Sequence, residues 1–397
     1  MHIVFVSRLS GYGGVAIHNQ TISRKLAQMG HQVSVVTSRM VPEQPDRVVE
    51  DGVTIYSLLG HYSYRLSKFP LIGYYMRSIK LWNYSHRVSR TLIRISKEKP
   101  IDVVEFDDID GEGFAYLRLK DRSPVVVRCQ TPNFVLQDYY DPSERPYDVG
   151  MTIAMEKYAI RHADVITAPS CNMAQTIASK CGFEVDRIKV IPNALDTEKF
   201  AFTHTLSKTN RADDFTILHI GRMERIKGIG VLIDAIPLVL YKIPNARFVF
   251  IGPANSKEEM NIWEHKLVAT GKDRVLLLGF LEHSKMVEYY QKADIILVPS
   301  INYESFSYTC AQAMASGLPV IASRIGGIPE TVGDDIGGIL VPPGNSELLA
   351  DAIIRLARNP DLRKKIGAAA RERAESLFAA GKVASRMLEV YQDVIGG

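Results

Sequence analysis

The chain has 397 residues, of which 46% are hydrophobic and 23% charged, and its mean hydropathy is −0.03. That composition supports two or three ordinary globular domains and excludes a largely disordered or fibrous chain. No apolar run approaches the roughly 18 residues of a membrane span, and a net charge of +4 without any nucleic-acid recognition module gives no case for a nucleic-acid partner.

The first residues, Met1 to Arg8, hold too short an apolar stretch for a signal peptide and read as a strand over 2–7. Further strands are expected at 32–37, 53–57, 102–106, 124–128, 164–168 and 188–191. A second series follows at 215–220, 246–251, 274–278, 294–298, 319–322 and 338–341. The runs are continuously apolar, as in parallel strands covered on both faces. Amphipathic helices are expected between them, at 15–29, 74–97, 228–241 and 256–270, with a last one at about 382–395. Alternating β and α predicts two doubly wound α/β domains, Rossmann-like, facing across a deep cleft. The series breaks once, in the polar stretch 197–214 after the turn Pro192-Asn193. The expected division is therefore 1–196 with about 380–397, a linker at 197–214, and 215–379.

Cys129, Cys171, Cys181 and Cys310 form no CxxC and no zinc-spaced cluster. They read as reduced thiols of a cytoplasmic protein, with Cys171 and Cys181 as buried small hydrophobes. From Gly52 to Lys97 there is no acidic residue, but Arg65, Lys68, Arg77, Lys80, Arg87, Arg90, Arg94 and Lys97 are interleaved with Tyr62, Tyr64, Phe69, Tyr74, Tyr75, Trp82 and Tyr84. This pattern fits an anionic membrane surface or an anionic acceptor, and equally a solvated helix face.

Three loops carry candidate chemistry. Ser7 to Gly14 is a glycine-rich turn before the first helix; Gly13 and Gly14 either face a phosphate or merely reverse the chain, and the spacing is neither GxGxxG nor Walker A. Gly221 to Gly228 places Arg222 and Lys227 in a βα loop, where two cations and a helix N-terminus suit a diphosphate, though by itself the loop reads equally as a solvated basic turn. Pro299 to Ser323 carries Glu304, a helix from about Ser307 to Ser316, and the stop Gly317-Leu318-Pro319. Glu304 and Gln312 are eight residues apart; helical geometry throughout would separate them by about 12 Å, on the order of the sugar-to-ribose distance of a nucleotide-sugar. Asp108-Ile109-Asp110 with Asp107 and Glu112 suggests an acidic rim or an acceptor contact rather than a metal site. His18 reads as packed or surface, or as lining the cleft, and Glu330 as serving its glycine-rich turn.

Taken with Gly30-His31-Gln32-Val33, Ile191-Pro192-Asn193, Ala313-Met314-Ala315-Ser316-Gly317-Leu318-Pro319-Val320 and Gly326-Gly327-Ile328-Pro329-Glu330, these loops resemble the family 4 glycosyltransferases of GT-B fold. The resemblance spans essentially the whole chain. It implies retaining transfer of a sugar from a nucleoside diphosphate donor to a hydroxyl of a glycan or lipid-linked acceptor, as in envelope polysaccharide or glycolipid synthesis, without a metal or other cofactor. It implies that Arg222 and Lys227 hold the diphosphate and that Glu304, the first acid of an E-x7-E motif, holds sugar hydroxyls. Phe306, Ser307, Tyr308 and Thr309 add contacts at the helix start, Phe280 and Leu281 pack on the base, and the last helix crosses back to the N-terminal domain. Two positions depart from the pattern. Gln312 replaces the second Glu, which binds ribose, and Gln130, after the strand 124–128, stands where the family often has His. Gln130 cannot titrate, so it could only orient a hydroxyl. The departures leave open a catalytically silent partner subunit, and the scaffold leaves open an epimerase or hydrolase of nucleotide-sugars.

Overall fold

The computed structural model describes residues 1–7, 13–39, 44–59, 70–139, 149–201 and 214–396, with side chains described for all of these except 59, 70–77, 272, 283 and 284. Two compact units result: Met1–Ala194 with Ala380–Gly397, and Leu195–Ala379. The chain passes from one to the other at Ala194–Leu195, slightly before the polar stretch that marks the break in the sequence. Of that stretch, 202–213 lie outside the described residues.

In chain order the first unit contains β1 (His2–Val6), α1 (Gly14–Gln28), β2 (Gln32–Arg39), β3 (Arg47–Glu50), β4 (Val53–Leu59), α2 (Pro70–Glu98), β5 (Val103–Asp107), β6 (Val125–Arg128), α3 (Asn133–Leu136), α4 (Gly150–His162), β7 (Val165–Ala168), α5 (Cys171–Cys181) and β8 (Ile188–Val190). The sheet order is β3-β4-β2-β1-β5-β6-β7-β8. All pairings are parallel except β3 with β4. β1 and β5 are buried along their full length, as their unbroken apolar runs require.

The second unit contains β9 (Phe215–Ile220), α6 (Ile229–Lys242), β10 (Ala246–Ile251), α7 (Lys257–Gly271), β11 (Val275–Leu277), α8 (His283–Lys292), β12 (Ile295–Val298), α9 (Tyr308–Ala315), β13 (Val320–Ser323), α10 (Ile328–Val332), β14 (Gly338–Val341), α11 (Ser346–Arg358) and α12 (Pro360–Leu377). Its sheet is wholly parallel, ordered β11-β10-β9-β12-β13-β14. Phe248, Phe250 and Leu297 of the sheet pack with Leu232, Ile236 and Val239 of α6 and Leu349, Ile353 and Leu356 of α11. The strand order reverses between β9 and β12, and the crevice beyond the carboxyl ends of those two strands is where such a sheet takes its ligand.

The last helix, α13 (Ala380–Gly396), belongs to the first unit. Val383, Met387, Val390 and Tyr391 recur at helical spacing and share a core with Ile3, Phe5, Ile22 and Leu26. The buried Tyr391 hydroxyl donates to Glu105 Oε2 at 2.6 Å, and Lys189 Nζ lies 2.6 Å from Asp393. The expected return of the last helix to the N-terminal domain is thus present. Among the described residues no helix is long and apolar enough to cross a membrane.

Residues 70–98 form a single 29-residue helix. Its core face carries Leu81, Tyr84, Val88, Leu92 and Ile95, all buried, while Ile79, Trp82 and Ile93 are exposed together with Arg90, Arg94 and Lys97. Tyr84 therefore belongs to the core and not to the outer face read from the sequence. Tyr62, Tyr64, Arg65, Lys68 and Phe69 lie outside the described residues, as do the side chains of Tyr74, Tyr75 and Arg77.

Candidate functional site

The loops after β9 and β12 meet at the reversal point of the second sheet. Gly228 makes the approach possible. Its φ is +79°, and a Cβ there would stand 2.0 Å from the Pro299 carbonyl oxygen, so only glycine fits. The close approach carries Lys227, in the 3₁₀ turn Arg225–Lys227, to Glu304: Nζ lies 2.7 Å from Oε1. The Ser300 hydroxyl donates to the same oxygen at 2.5 Å. Burial opposes ionisation of Glu304, but the charge of Lys227 and hydrogen bonds from Lys227, Ser300 and Ser307 outweigh it and hold the carboxyl below the usual range. Glu304 is thus an ionised acceptor at neutral pH.

The Glu304 backbone is fixed by the glycine pair beneath it. Gly327 N–H donates to the Glu304 carbonyl at 2.7 Å, and a Cβ on Gly326 (φ +56°) would stand 2.3 Å from that oxygen. Helical geometry begins only at Tyr308, with Ser307 as N-cap accepting from the Cys310 N–H. Glu304 sits in the loop before α9, as read from the sequence, so its separation from Gln312 is not that of eight residues of continuous helix. Thr309 Oγ1 donates to the Ile220 carbonyl at 3.4 Å, which places the first turn of α9 over the end of β9. Phe306 is buried and packs edge-on against Tyr308 and Phe378. Tyr308 and Thr309 form the first turn of α9, ahead of the Ala311 N–H that donates to the Ser307 carbonyl at 3.0 Å.

Arg222 is 57% exposed at its side chain, and its guanidinium lies 2.7 Å from the buried Glu224 carboxylate. Phe280 and Leu281 follow β11; Phe280 is exposed and Leu281 partly buried. Gln312 is buried, and its Oε1 accepts from the Tyr290 hydroxyl of α8 at 2.9 Å. Sequence reasoning passed over Tyr290, Ser300 and His219. His219 stands two residues before Gly221, fully inside the sheet. Its Nδ1 pairs with the Leu297 carbonyl at 3.0 Å. Burial pushes its pKa down to about 4, with the Leu297 bond opposing and Lys227 assisting, so the ring beneath the cationic loop is neutral.

The corresponding edge of the first unit is also polar, but its acids are buried. Asp107, Asp108, Asp110 and Glu112 are all buried, so the acidic rim read from the sequence is an interior cluster. Burial, reinforced by Glu105 and Glu112, holds the Asp107 carboxyl well above the usual range, although Asn19 Nδ2 donates to it at 2.9 Å. Burial likewise lifts Glu156 to about 7 against hydrogen bonds from Asn133 and the Asp110 N–H. Gly13 and Gly14 at the start of α1 line a cavity of about 250 Å³ with Asp107, Ile109 and Glu112. Arg8 to Tyr12 of that turn lie outside the described residues. Gln130 is buried and accepts from Asn193 Nδ2 at 3.0 Å, and Asn193 in turn accepts from the fully buried Arg128 at 2.7 Å. His18 is packed, its Nδ1 accepting from the Ala194 N–H at 3.0 Å. Cys181 is buried as expected, but Cys171 at the start of α5 is exposed. Glu330 lies in the first turn of α10, after the glycine pair. Among the described residues no group of three or more His, Cys, Asp or Glu could hold a metal ion.

Two family models match the chain in succession: Glycosyltransferase Family 4 over residues 12–199 and Glycosyl transferases group 1 over 203–373. The D-inositol 3-phosphate glycosyltransferase of Xylanimonas cellulosilytica is 28% identical over 395 residues, covering 96% of this chain and 91% of its own. That of Corynebacterium glutamicum is 27% identical, covering 96% and 92%. Among solved structures, sucrose-phosphate synthase from Thermosynechococcus elongatus superposes with a TM-score of 0.82 at 23% identity, covering 100% of this chain and 99% of its own. HepE of Anabaena in complex with UDP superposes with a TM-score of 0.72 at 20% identity, covering 99% and 100%. Two Rossmann-like units, a last helix returned to the first, and two family models that between them take in both units make this chain a member of the GT-B glycosyltransferases of the family 4 and group 1 kind.

Proposed function

We propose that the protein transfers a glycosyl group from a nucleoside diphosphate sugar to a hydroxyl of a glycan or lipid-linked acceptor, with retention at the anomeric carbon. The observation that carries this reading is the Lys227–Glu304 pair at the β9–β12 reversal point, on the same loop as Arg222. Arg222, Lys227 and the N-terminus of α9 supply the positive charge that the departing diphosphate needs, so no metal is called for in that role. Glu304, ionised and acceptor-only, takes hydrogen bonds from the donor sugar hydroxyls. Phe306, Ser307, Tyr308 and Thr309 flank the sugar and phosphates, while Phe280 and Leu281 take the base. The C1–O bond to the phosphate breaks as the bond from C1 to the acceptor oxygen forms on the same face. The acceptor proton passes to the leaving phosphate, so Gln130 need only orient a hydroxyl.

The acceptor side falls to the first unit, where Gly13, Gly14 and Asp107, whose carboxyl burial holds well above its usual range, line a small cavity. The place of work is the cytoplasmic face of an envelope membrane, supported by the cationic outer face of α2. A thermal-shift screen against UDP-, GDP-, ADP- and dTDP-sugars tests the donor reading. One donor raises Tm, by the equivalent of roughly 2.7 kcal/mol at a hundredfold excess over Kd, and Arg222→Ala abolishes the shift. No shift with any donor overturns it. Turnover is then followed with glycan, lipid-linked and polyol phosphate acceptors, the last drawn from the names of the relatives. Donor consumed without an acceptor would favour a hydrolase or epimerase, and binding without turnover a silent partner.

A further inference from the structure

Each of the two cations proposed to hold the diphosphate already has a carboxylate beside it. Lys227 Nζ stands 2.7 Å from Glu304 Oε1, and Arg222 Nη1 stands 2.7 Å from Glu224 Oε1. Glu304 has a role of its own on the sugar hydroxyls, whereas Glu224 has none in the reading above. We infer that Glu224 is a built-in counter-charge that limits the grip of Arg222 on the nucleotide diphosphate, so that the leaving nucleotide is stabilised during transfer and then released. The inference rests on the donor reading.

The two members of the pair have unlike surroundings. The Arg222 side chain is 57% exposed and that of Glu224 only 7%. The segment between them is pinned from inside. Met223, fully buried, donates its N–H to the Pro253 carbonyl at 2.8 Å; the Glu224 N–H donates to the Arg222 carbonyl at 2.9 Å, and the Lys227 N–H to the Glu224 carbonyl at 3.1 Å. The backbone around Glu224 is thus fixed, and its carboxylate stays inside while the arginine reaches solvent. No hydrogen bond reaches Glu224 Oε1 among the described residues, so charge and not an aligned N–H holds it to Arg222.

A buried carboxylate that loses its counter-ion is costly. Arg222 therefore does not abandon Glu224 for a phosphate, and the two anions share it. The guanidinium permits sharing, because with Nη1 beside Glu224 its other N–H groups can take a phosphate oxygen. The diphosphate then meets a cation whose charge is partly offset from behind. At an effective dielectric of about 20, a like charge held one guanidinium away from the phosphate costs about tenfold in affinity.

The test is titration calorimetry on the full chain with UDP, GDP, ADP and dTDP and with the corresponding nucleosides. For the base that binds, Glu224→Gln, which keeps the size and removes the charge, tightens the diphosphate about tenfold and leaves the nucleoside unchanged. Glu224→Asp, which keeps the charge, does not tighten it. A merely structural role for Glu224 would make every substitution weaken the diphosphate or move the nucleoside alike. Glu224→Met removes the same charge at similar volume and decides where the Gln variant does not fold, since Arg222, more than half exposed, keeps its hydration when the carboxylate goes. Diphosphate affinity unchanged or weakened in the folded neutral variants overturns the inference alone, as does equal tightening of nucleoside and diphosphate. If no diphosphate binds the native protein or any variant, the donor reading falls and this inference with it.

Discussion

Glu156 is a carboxyl whose folded pKa stands at about 7, because burial outweighs the hydrogen bonds from Asn133 and Asp110. A raised carboxyl pKa means that the folded state keeps a proton which the unfolded state gives up near pH 4.5. The stability it contributes is full below that value and is lost as pH rises through about 7. Against Glu156→Gln, the native protein should therefore lose on the order of 3 kcal/mol between pH 4 and 8. Urea unfolding of both proteins at the two pH values measures it, and parallel pH profiles would mean that Glu156 is ionised when folded. At this scale the sequence is legible where a residue's type alone fixes its chemistry. Lys227 and Glu304 were expected at one ligand and are found paired; Gln130 was expected not to titrate and is held by Asn193. It is illegible where burial decides. Asp107 to Glu112 looks like a surface run of acids, because nothing local tells that α4 packs over it and that Gly111 has no room for a Cβ beside Met155. The engagement of Gln312 by Tyr290 is equally hidden, since the two residues come from different helices.

The parallel strands could be read directly, because a strand covered on both faces needs an unbroken apolar run. β3 could not: it is a four-residue antiparallel edge with Val49 exposed at 64%, and an edge strand makes no such demand. Loops between legible strands are constrained by close approach, and two neighbouring glycines separate the cases. Gly228→Ala forces a Cβ against the Pro299 carbonyl in a left-handed conformation and should destabilise by about 2 kcal/mol or more. It should also displace Lys227 from Glu304 and so lower kcat/KM. Gly230 lies inside α6 with nothing within 4 Å of an added Cβ, so Gly230→Ala should stabilise by about 0.5–1 kcal/mol. Thermal unfolding of the two variants measures the contrast. Equal effects would show that the loop after β9 yields, and that the approach to Pro299 does not fix the site.

For the whole molecule, the sequence marks two halves because apolar periodicity stops at 197, whereas the packing boundary falls at Ala194–Leu195. Residue 195 already pairs with the return crossing, its N–H donating to the Phe378 carbonyl at 2.7 Å, and a single bridge of this kind leaves no periodic signal. Charge at this scale points to a surface. The outer face of α2 sets Trp82 and Ile79, 43% and 56% exposed, in line with Arg90, Ile93, Arg94 and Lys97, and no acid intervenes between Gly52 and Lys97. Arg and Lys at a bilayer surface are each worth about 1 kcal/mol when the lipid is anionic, and Trp favours the headgroup level. The full chain should therefore float with vesicles containing phosphatidylglycerol and stay behind with pure phosphatidylcholine. Reversing two charges, Arg90→Glu with Arg94→Glu, should cut that binding more than about tenfold, while donor binding in the other unit is untouched. Trp82→Ala should weaken it less and reduce its persistence at high salt, since the apolar part is not screened. Equal flotation with both lipids, or flotation indifferent to the double reversal, would make the stripe an ordinary solvated helix face and leave the acceptor free in solution.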